Sequence, residues 1–182
     1  MKAKCLILLV FSFICCSCAH NFPPLPTVDS VDLKKYSGSW YEIASIPNSF
    51  QRGCYCTKAT YGFVENADYI SVLNQCRKNS ETGNISQAHG KAFIVPHSGN
   101  AKLKVQFFWP FLGDYWIIAI DSNAQQKYQY AMVGQPNRDY LWILSRKPTL
   151  SKHIYDKLLA IAQQKKFDIT RLKSTFQRGG CI

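Results

Sequence analysis

The side chains best able to do chemistry in this 182-residue chain are its eight cysteines, four histidines and eleven carboxylates. Beyond residue 17 the cysteines are Cys18, Cys54, Cys56, Cys76 and Cys181. Cys54-Tyr55-Cys56 has the spacing of neither a redox pair nor a zinc knuckle. A four-sulfur zinc site from Cys54, Cys56, Cys76 and Cys181 is conceivable, but two disulfides are the simpler use of four thiols in an oxidising space. His20, His89, His97 and His153 fall on an arm, a strand, a turn and a helix, and none has a partner spaced for a metal or a nucleophile. Glu42 is the one acid expected on an inward strand face. It reads as hydrogen-bonded to a neighbouring Tyr or Arg rather than as a general base. There is no glycine-rich phosphate loop, and the reading is a non-enzyme with no metal and no cofactor.

The compartment follows from the first residues. Met1-Lys2-Ala3-Lys4 is basic, Cys5 to Ile14 is an apolar run of ten, and Ser17-Cys18-Ala19 is small. That is the order of a secretory signal, and ten apolar residues are too few to span a bilayer as a helix. Two cleavages fit. One lies before His20 by the small-x-small rule. The other lies before Cys18, which resembles a lipoprotein box with Cys15 where Leu is usual, and which makes Cys18 a lipidated first residue. Residues 1–18 are accordingly read as a lipoprotein-type signal and 19–30 as a Pro-rich tether, with an arm covering one end of the fold as the alternative for the latter. Residues 31–182 are read as one domain.

Composition excludes other classes. With 47% hydrophobic and 14% aromatic residues the chain can bury a core, so disorder is not its main state. The formal charge of +11 falls to +9 once Lys2 and Lys4 leave with the signal. The cations are scattered, without a basic run interleaved with aromatics, so nucleic acid is not an expected partner. An anionic membrane surface is better motivated.

The elements that must position all this are strands. Leu103-Lys104-Val105-Gln106-Phe107 alternates with period two, while Tyr115 to Ile120 and Tyr140 to Leu144 are apolar on both faces and need an outside cover. Strands are predicted near 39–46, 57–64, 69–76, 85–95, 102–109, 114–121, 128–134 and 139–146, with turn signals such as Ser80-Glu81-Thr82-Gly83-Asn84 between them. Eight sequential antiparallel strands lose their edges most economically by closing into an up-and-down barrel. One helix follows. Ser151 is its N-cap, and Tyr155, Leu158, Leu159 and Ala162 form a stripe matched to the apolar outer strands. Residues 169–176 read as one more edge strand.

An eight-stranded barrel is either packed solid or holds one small ligand. Strand parity sends Tyr61, Phe63, Val72, Asn74, Ala92 and Val105 inward, followed by Phe107, Tyr115, Ile117, Val133, Tyr140 and Trp142. Aromatics around a few polar groups suit a long apolar molecule with one polar end. Lys91 and Lys102 are expected at the mouth, where they would meet a head group.

Several ordered motifs carry a resemblance. Gly38-Ser39-Trp40-Tyr41-Glu42-Ile43-Ala44 is similar to the first-strand G-x-W motif of lipocalins, and Tyr140 to Arg146 to their last-strand motif, whose arginine packs on that tryptophan. Phe107 to Phe111, Asn137-Arg138-Asp139-Tyr140 and Lys147-Pro148-Thr149 extend the match over residues 31–176, resembling the outer-membrane lipoprotein branch of the family. The middle motif departs, reading Ile120-Asp121-Ser122. The resemblance implies binding and transport of lipids, with a fatty acid or lysophospholipid as partner, in a monomer or homodimer anchored to the outer membrane through Cys18. It implies ligand contact at Tyr61, Asn74 and Trp142, and structural roles for Gly38, Trp40 and Arg146. It also implies a Cys56–Cys181 disulfide. Folding the hairpin over 57–76 then brings Cys76 level with Cys54 as the second pair. A filled structural or adhesive barrel, or a binder of retinoid, haem or pigment, stays open as the alternative.

Overall fold

The computed structural model describes residues 22–121, 126–178 and 181. The signal, Cys18 and Ser122 lie outside them. Eight antiparallel strands follow one another as β1 (Gly38–Ser45), β2 (Cys54–Phe63), β3 (Tyr69–Lys78), β4 (Ile85–Ile94), β5 (Lys102–Gln106), β6 (Gly113–Ile120), β7 (Tyr130–Gly134) and β8 (Leu141–Ser145). β1 pairs with both β2 and β8, with Gly38 opposite Tyr61 and Tyr41 opposite Ser145, so the sheet closes on itself as expected. Closure joins the two end strands of the eight-strand order to each other through β1.

Period two sorts the side chains into two clusters. Inward lie Trp40, Tyr61, Ile70, Val72, Ala92, Leu103, Tyr115, Ile117, Val133 and Leu144. Outward, Ile118, Met132, Leu141 and Ile143 meet Leu158 and Ala162 of helix α2 (Lys152–Gln164), the cover that the two-faced strands required. Ser151 caps α2 by accepting from the Ile154 amide. Irregular pairing at Glu42/Ala44 and Ile117/Ala119 puts Ala44 and Ala119 in the outer cluster. The expected edge strand over 169–176 shrinks to a 3-10 turn (Ile169–Arg171) and a two-residue β9 (Lys173–Ser174) on the end of β1.

One end of the barrel is shut. A short helix, α1 (Leu33–Tyr36), is capped by Asp32 and drives Leu33 and Tyr36 into the inner cluster. Nothing in the strand pattern announced it. Gly38 has φ +101°, a conformation that only glycine adopts freely, and Arg146 Nη1 would lie 3.3 Å from any added Cβ. That explains the glycine of the G-x-W motif. The opposite, open end is formed by the connections 46–53, 79–84, 107–112 and 135–140.

Residues 22–30 are an arm rather than a free spacer. Leu25 is buried in the outer cluster, the Val28 amide donates to the Ile117 carbonyl, and Arg138 donates to the Pro23 and Lys165 carbonyls. Arg138 thus fastens the arm and the end of α2 to the 135–140 connection. Both expected disulfides are present, Cys54–Cys76 and Cys56–Cys181. They close loops of 22 and 125 residues. On a chain-entropy account these are worth about 3 and about 5 kcal/mol.

Candidate functional site

The interior has a floor, a wall and a rim. On the floor the Tyr115 hydroxyl is 2.7 Å from that of Tyr36 and 2.8 Å from that of Tyr61. Three hydroxyl protons serve two bonds, so one O–H remains to donate elsewhere. Burial pushes the Tyr61 hydroxyl up to about 12, opposed by its bond to Tyr115 and aided by nearby Glu42. Tyr36 and Tyr115 are also raised, first by desolvation. These phenols are neutral donors at any physiological pH.

Beneath the floor Arg146 stacks on Trp40, its guanidinium carbon 3.9 Å from the ring centroid. It also donates to the carbonyls of Lys35, Tyr36, Ser37, Ser39 and Tyr128. Trp40 Nε1 donates to the Tyr36 carbonyl at 2.8 Å. β1–β8 pairing brings the two ends of the meander together here, so the expected cation–π contact forms.

Above the floor the wall loosens. Val105, Phe107 and Trp142 are half-buried and pack against the inner cluster, and Asn74, opposite Ala59, is half-buried on the same face as Val72. At the rim Gln51 reaches across. Its Oε1 accepts from Trp142 Nε1 at 3.0 Å, and its Nε2 donates to Glu42 Oε2 at 2.6 Å. Tyr140 stacks on Trp142 with centroids 5.9 Å apart and meets Phe50 at 5.7 Å. A recess of about 840 Å³ opens at this end between residues 47–57 and 171–176, lined by Glu42, Gln51, Tyr140, Arg52, Arg171 and Lys173 among others. Its lining does not extend to Tyr61, Asn74, Val105 or Trp142.

The expected site residues therefore separate by height. Tyr61, Val72, Ala92, Tyr115, Ile117 and Val133 are in the buried inner cluster. Asn74, Val105, Phe107 and Trp142 form the looser wall, and Tyr140 stands at the rim. Phe63 does not join them. It is 44% exposed at the closed-end terminus of β2, with Lys34 Nζ 5.4 Å from its ring centroid, because the strand runs past the floor.

Two further expectations need correction. Glu42 is buried, but its partners are the Ser45 and Thr175 hydroxyls and the Gln51 amide, not a Tyr or Arg. Lys91 and Lys102 are not at the mouth. They lie on the outer surface towards the closed end, over the rings of Tyr69 and Trp116 at 4.5 and 4.2 Å. Strand parity cannot say at which end of a strand a residue sits relative to the opening. The cations lining the recess at the open end are Arg52, Arg171 and Lys173. Gln51 and Tyr36 were missed because a connection and a four-residue helix carry no periodic signal, and Arg138 was named only within the Asn137–Tyr140 motif, without a role. Among the described residues no three His, Cys, Asp or Glu side chains converge as metal ligands.

The architecture has close counterparts. The lipocalin-like domain family matches residues 31–177. The chain is 38% identical over 162 residues to the outer membrane lipoprotein Blc of Escherichia coli K12, covering 88% of each. It is 37% identical over 164 residues to mouse apolipoprotein D, covering 85% of this chain and 82% of that protein. Insecticyanin of the tobacco hornworm shares the fold, with a TM-score of 0.68 at 22% identity over 88% of each chain. The closed eight-stranded barrel, the Trp40–Arg146 lock beneath its floor and these matches together establish that the chain belongs to the lipocalin family.

Proposed function

We propose that the barrel binds a long apolar molecule with one polar end, a fatty acid or a lysophospholipid, and carries it at the outer membrane, to which an acylated Cys18 holds the protein. The observation that supports this most is the gradient of burial along inward-facing residues. Tyr61, Tyr115 and Ile117 are sealed at the floor, whereas Asn74, Val105, Phe107 and Trp142 keep part of their surface accessible towards the mouth. An acyl chain laid on that wall gains roughly 0.8 kcal/mol per buried CH₂, so ten methylenes supply about 8 kcal/mol before ordering costs. The head group then meets Asn74 on the wall, or Arg52, Arg171 and Lys173 in the recess at the open end. Binding rather than catalysis fits Glu42, whose carboxylate already accepts from three donors. The name of the bacterial relative, an outer membrane lipoprotein, supports the location, as does the lipoprotein-type signal.

The sealed floor gives one competing reading some weight, a structural envelope protein with a filled barrel. Native mass spectrometry of protein extracted from its own membrane separates the two. A co-purifying lipid, together with fatty-acid affinity that falls when Trp142 is replaced by Ala, supports carriage. A ligand-free spectrum, with no saturable fatty-acid binding in titration, supports the filled barrel.

A further inference from the structure

Apolar side chains gather outside the barrel as well as inside it. In the connection from β5 to β6, Phe108 is 76%, Trp109 85%, Phe111 76% and Leu112 54% exposed. These residues surround Pro110 in a turn closed by the Phe111 amide donating to the Phe108 carbonyl at 2.9 Å. Phe50, on another connection of the same end, is 64% exposed. A soluble surface seldom leaves so many large apolar groups in water along one short loop; where it does, a partner or a membrane is the usual cover.

The position of Phe22 says which. The arm starts at the open end, where Phe22 lies under Arg138 with its ring centroid 5.1 Å from the guanidinium. Gln135, from the same connection as Arg138, donates its side-chain amide to the Asp114 carbonyl, two residues after Leu112. Because residues 22–30 are packed down, only four peptide units separate Phe22 from Cys18, a reach of at most about 14 Å. An acyl group there holds this end, and no other, against lipid. The recess at the same end is lined by Arg52, Arg171 and Lys173 against buried Glu42 and exposed Asp139, a net positive lining suited to anionic head groups. Aromatic rings with nearby cations are what the interfacial layer of a bilayer accommodates.

We propose that the open end docks face-down on a lipid bilayer, with Phe108, Trp109, Phe111 and Leu112 entering its interfacial layer, so that the mouth faces the lipid from which its ligand comes. The choice of a bilayer as the cover, and the orientation on it, rest on the anchored-carrier reading above; the exposure of the loop does not.

The test uses the full mature chain, acylated and as Cys18→Ser, with vesicles of phosphatidylethanolamine and phosphatidylglycerol containing brominated acyl chains. Tryptophan emission should be quenched, and Trp109→Ser should remove at least half of the quench, since Trp40 is buried and Trp116 and Trp142 are half-buried. A triple Phe108→Ser, Trp109→Ser, Phe111→Ser variant of the Cys18→Ser chain should bind vesicles at least tenfold more weakly, with unchanged fatty-acid affinity in solution. Quenching that is absent from the acylated protein, or identical with and without Trp109, overturns the proposal. So does a dimer in sedimentation that the triple variant dissolves without any vesicle effect, which makes the loop a homodimer face. Mass analysis of Cys18 and solution titration report separately on the anchor and on ligand binding, so failure of either is distinguishable from failure of the loop.

Discussion

At the closed end, Trp40 is fully buried, its indole N–H spent on the Tyr36 carbonyl and its face covered by Arg146. At the open end, Trp109 stands 85% exposed beside two phenylalanines, and Arg52, Arg171 and Lys173 line an open recess without an ion pair among the described residues. The same side-chain types serve opposite purposes. Where a half-buried guanidinium lies on a fully buried indole, each engages the other and the nearby carbonyls, and the result is rigidity. Where they are left in water, their surface is available to something else. The comparison teaches that buried and exposed uses of the same side chains are separated along the barrel axis, and that mutations should sort by height.

The largest effect is expected at the closed end. Trp40→Ala should cost about 3–5 kcal/mol through the cavity it leaves and the stranding of Arg146, measured by urea unfolding with the disulfides intact. A loss below about 1 kcal/mol would mean that the floor repacks freely and that the two ends are not so different.

Alkali should act on the same end. Tyr61 binds its proton more tightly folded, at about 12, than at its ordinary value of 10.0. Its contribution is therefore fully present below pH 10 and declines as pH rises through 10 towards 12. At 1.36 kcal/mol per unit this is of order 2–3 kcal/mol. Tyr36 and Tyr115, raised in the same direction, steepen the fall. Unfolding free energy measured between pH 9 and 11.5 should drop, and less steeply in Tyr61→Phe; equal slopes would contradict the buried chain of phenols.

Midway up, Trp142→Ala should weaken fatty-acid binding by more than about 1 kcal/mol, roughly fivefold or more, by removing wall area and the hold on Gln51. Fluorescence displacement or calorimetry reads it, and unchanged affinity would move the ligand off this wall. The smallest effect on the fold is expected at the top. Trp109→Ser should change unfolding stability by less than about 0.5 kcal/mol, because an exposed side chain loses little on removal. A larger change in thermal or urea unfolding would show that the aromatic loop is part of the core after all.

Much of this architecture was legible from local pattern. Alternation along Leu103 to Phe107 assigned a face to each residue, and the two-faced strands at 115–120 and 140–144 required the helix that now covers them. The Trp40–Arg146 contact was reachable because the ordered motifs imply that the first and last strands meet, Cys56–Cys181 because the family resemblance implies it, and Cys54–Cys76 because folding the hairpin brings the two level. What escaped was height and everything held by loops. Parity marks Phe63 and Tyr61 as equivalent, yet one is exposed beyond the floor and the other sealed in it. Lys91 and Lys102 were placed at the wrong end for the same reason.

By itself, the order of residues determined that this chain forms a closed barrel with a lock at one end. Hydrophobic periodicity and motif spacing are local properties, and burial acts on them face by face. Only the tertiary structure decided how deep the floor lies, that Gln51 bridges Glu42 and Trp142, and that Arg138 folds the arm back so that it starts beside the mouth. Those outcomes depend on register and on hydrogen bonds between residues roughly a hundred positions apart, such as Arg138 to Pro23 with a separation of 115. No window of sequence contains both partners of such a bond.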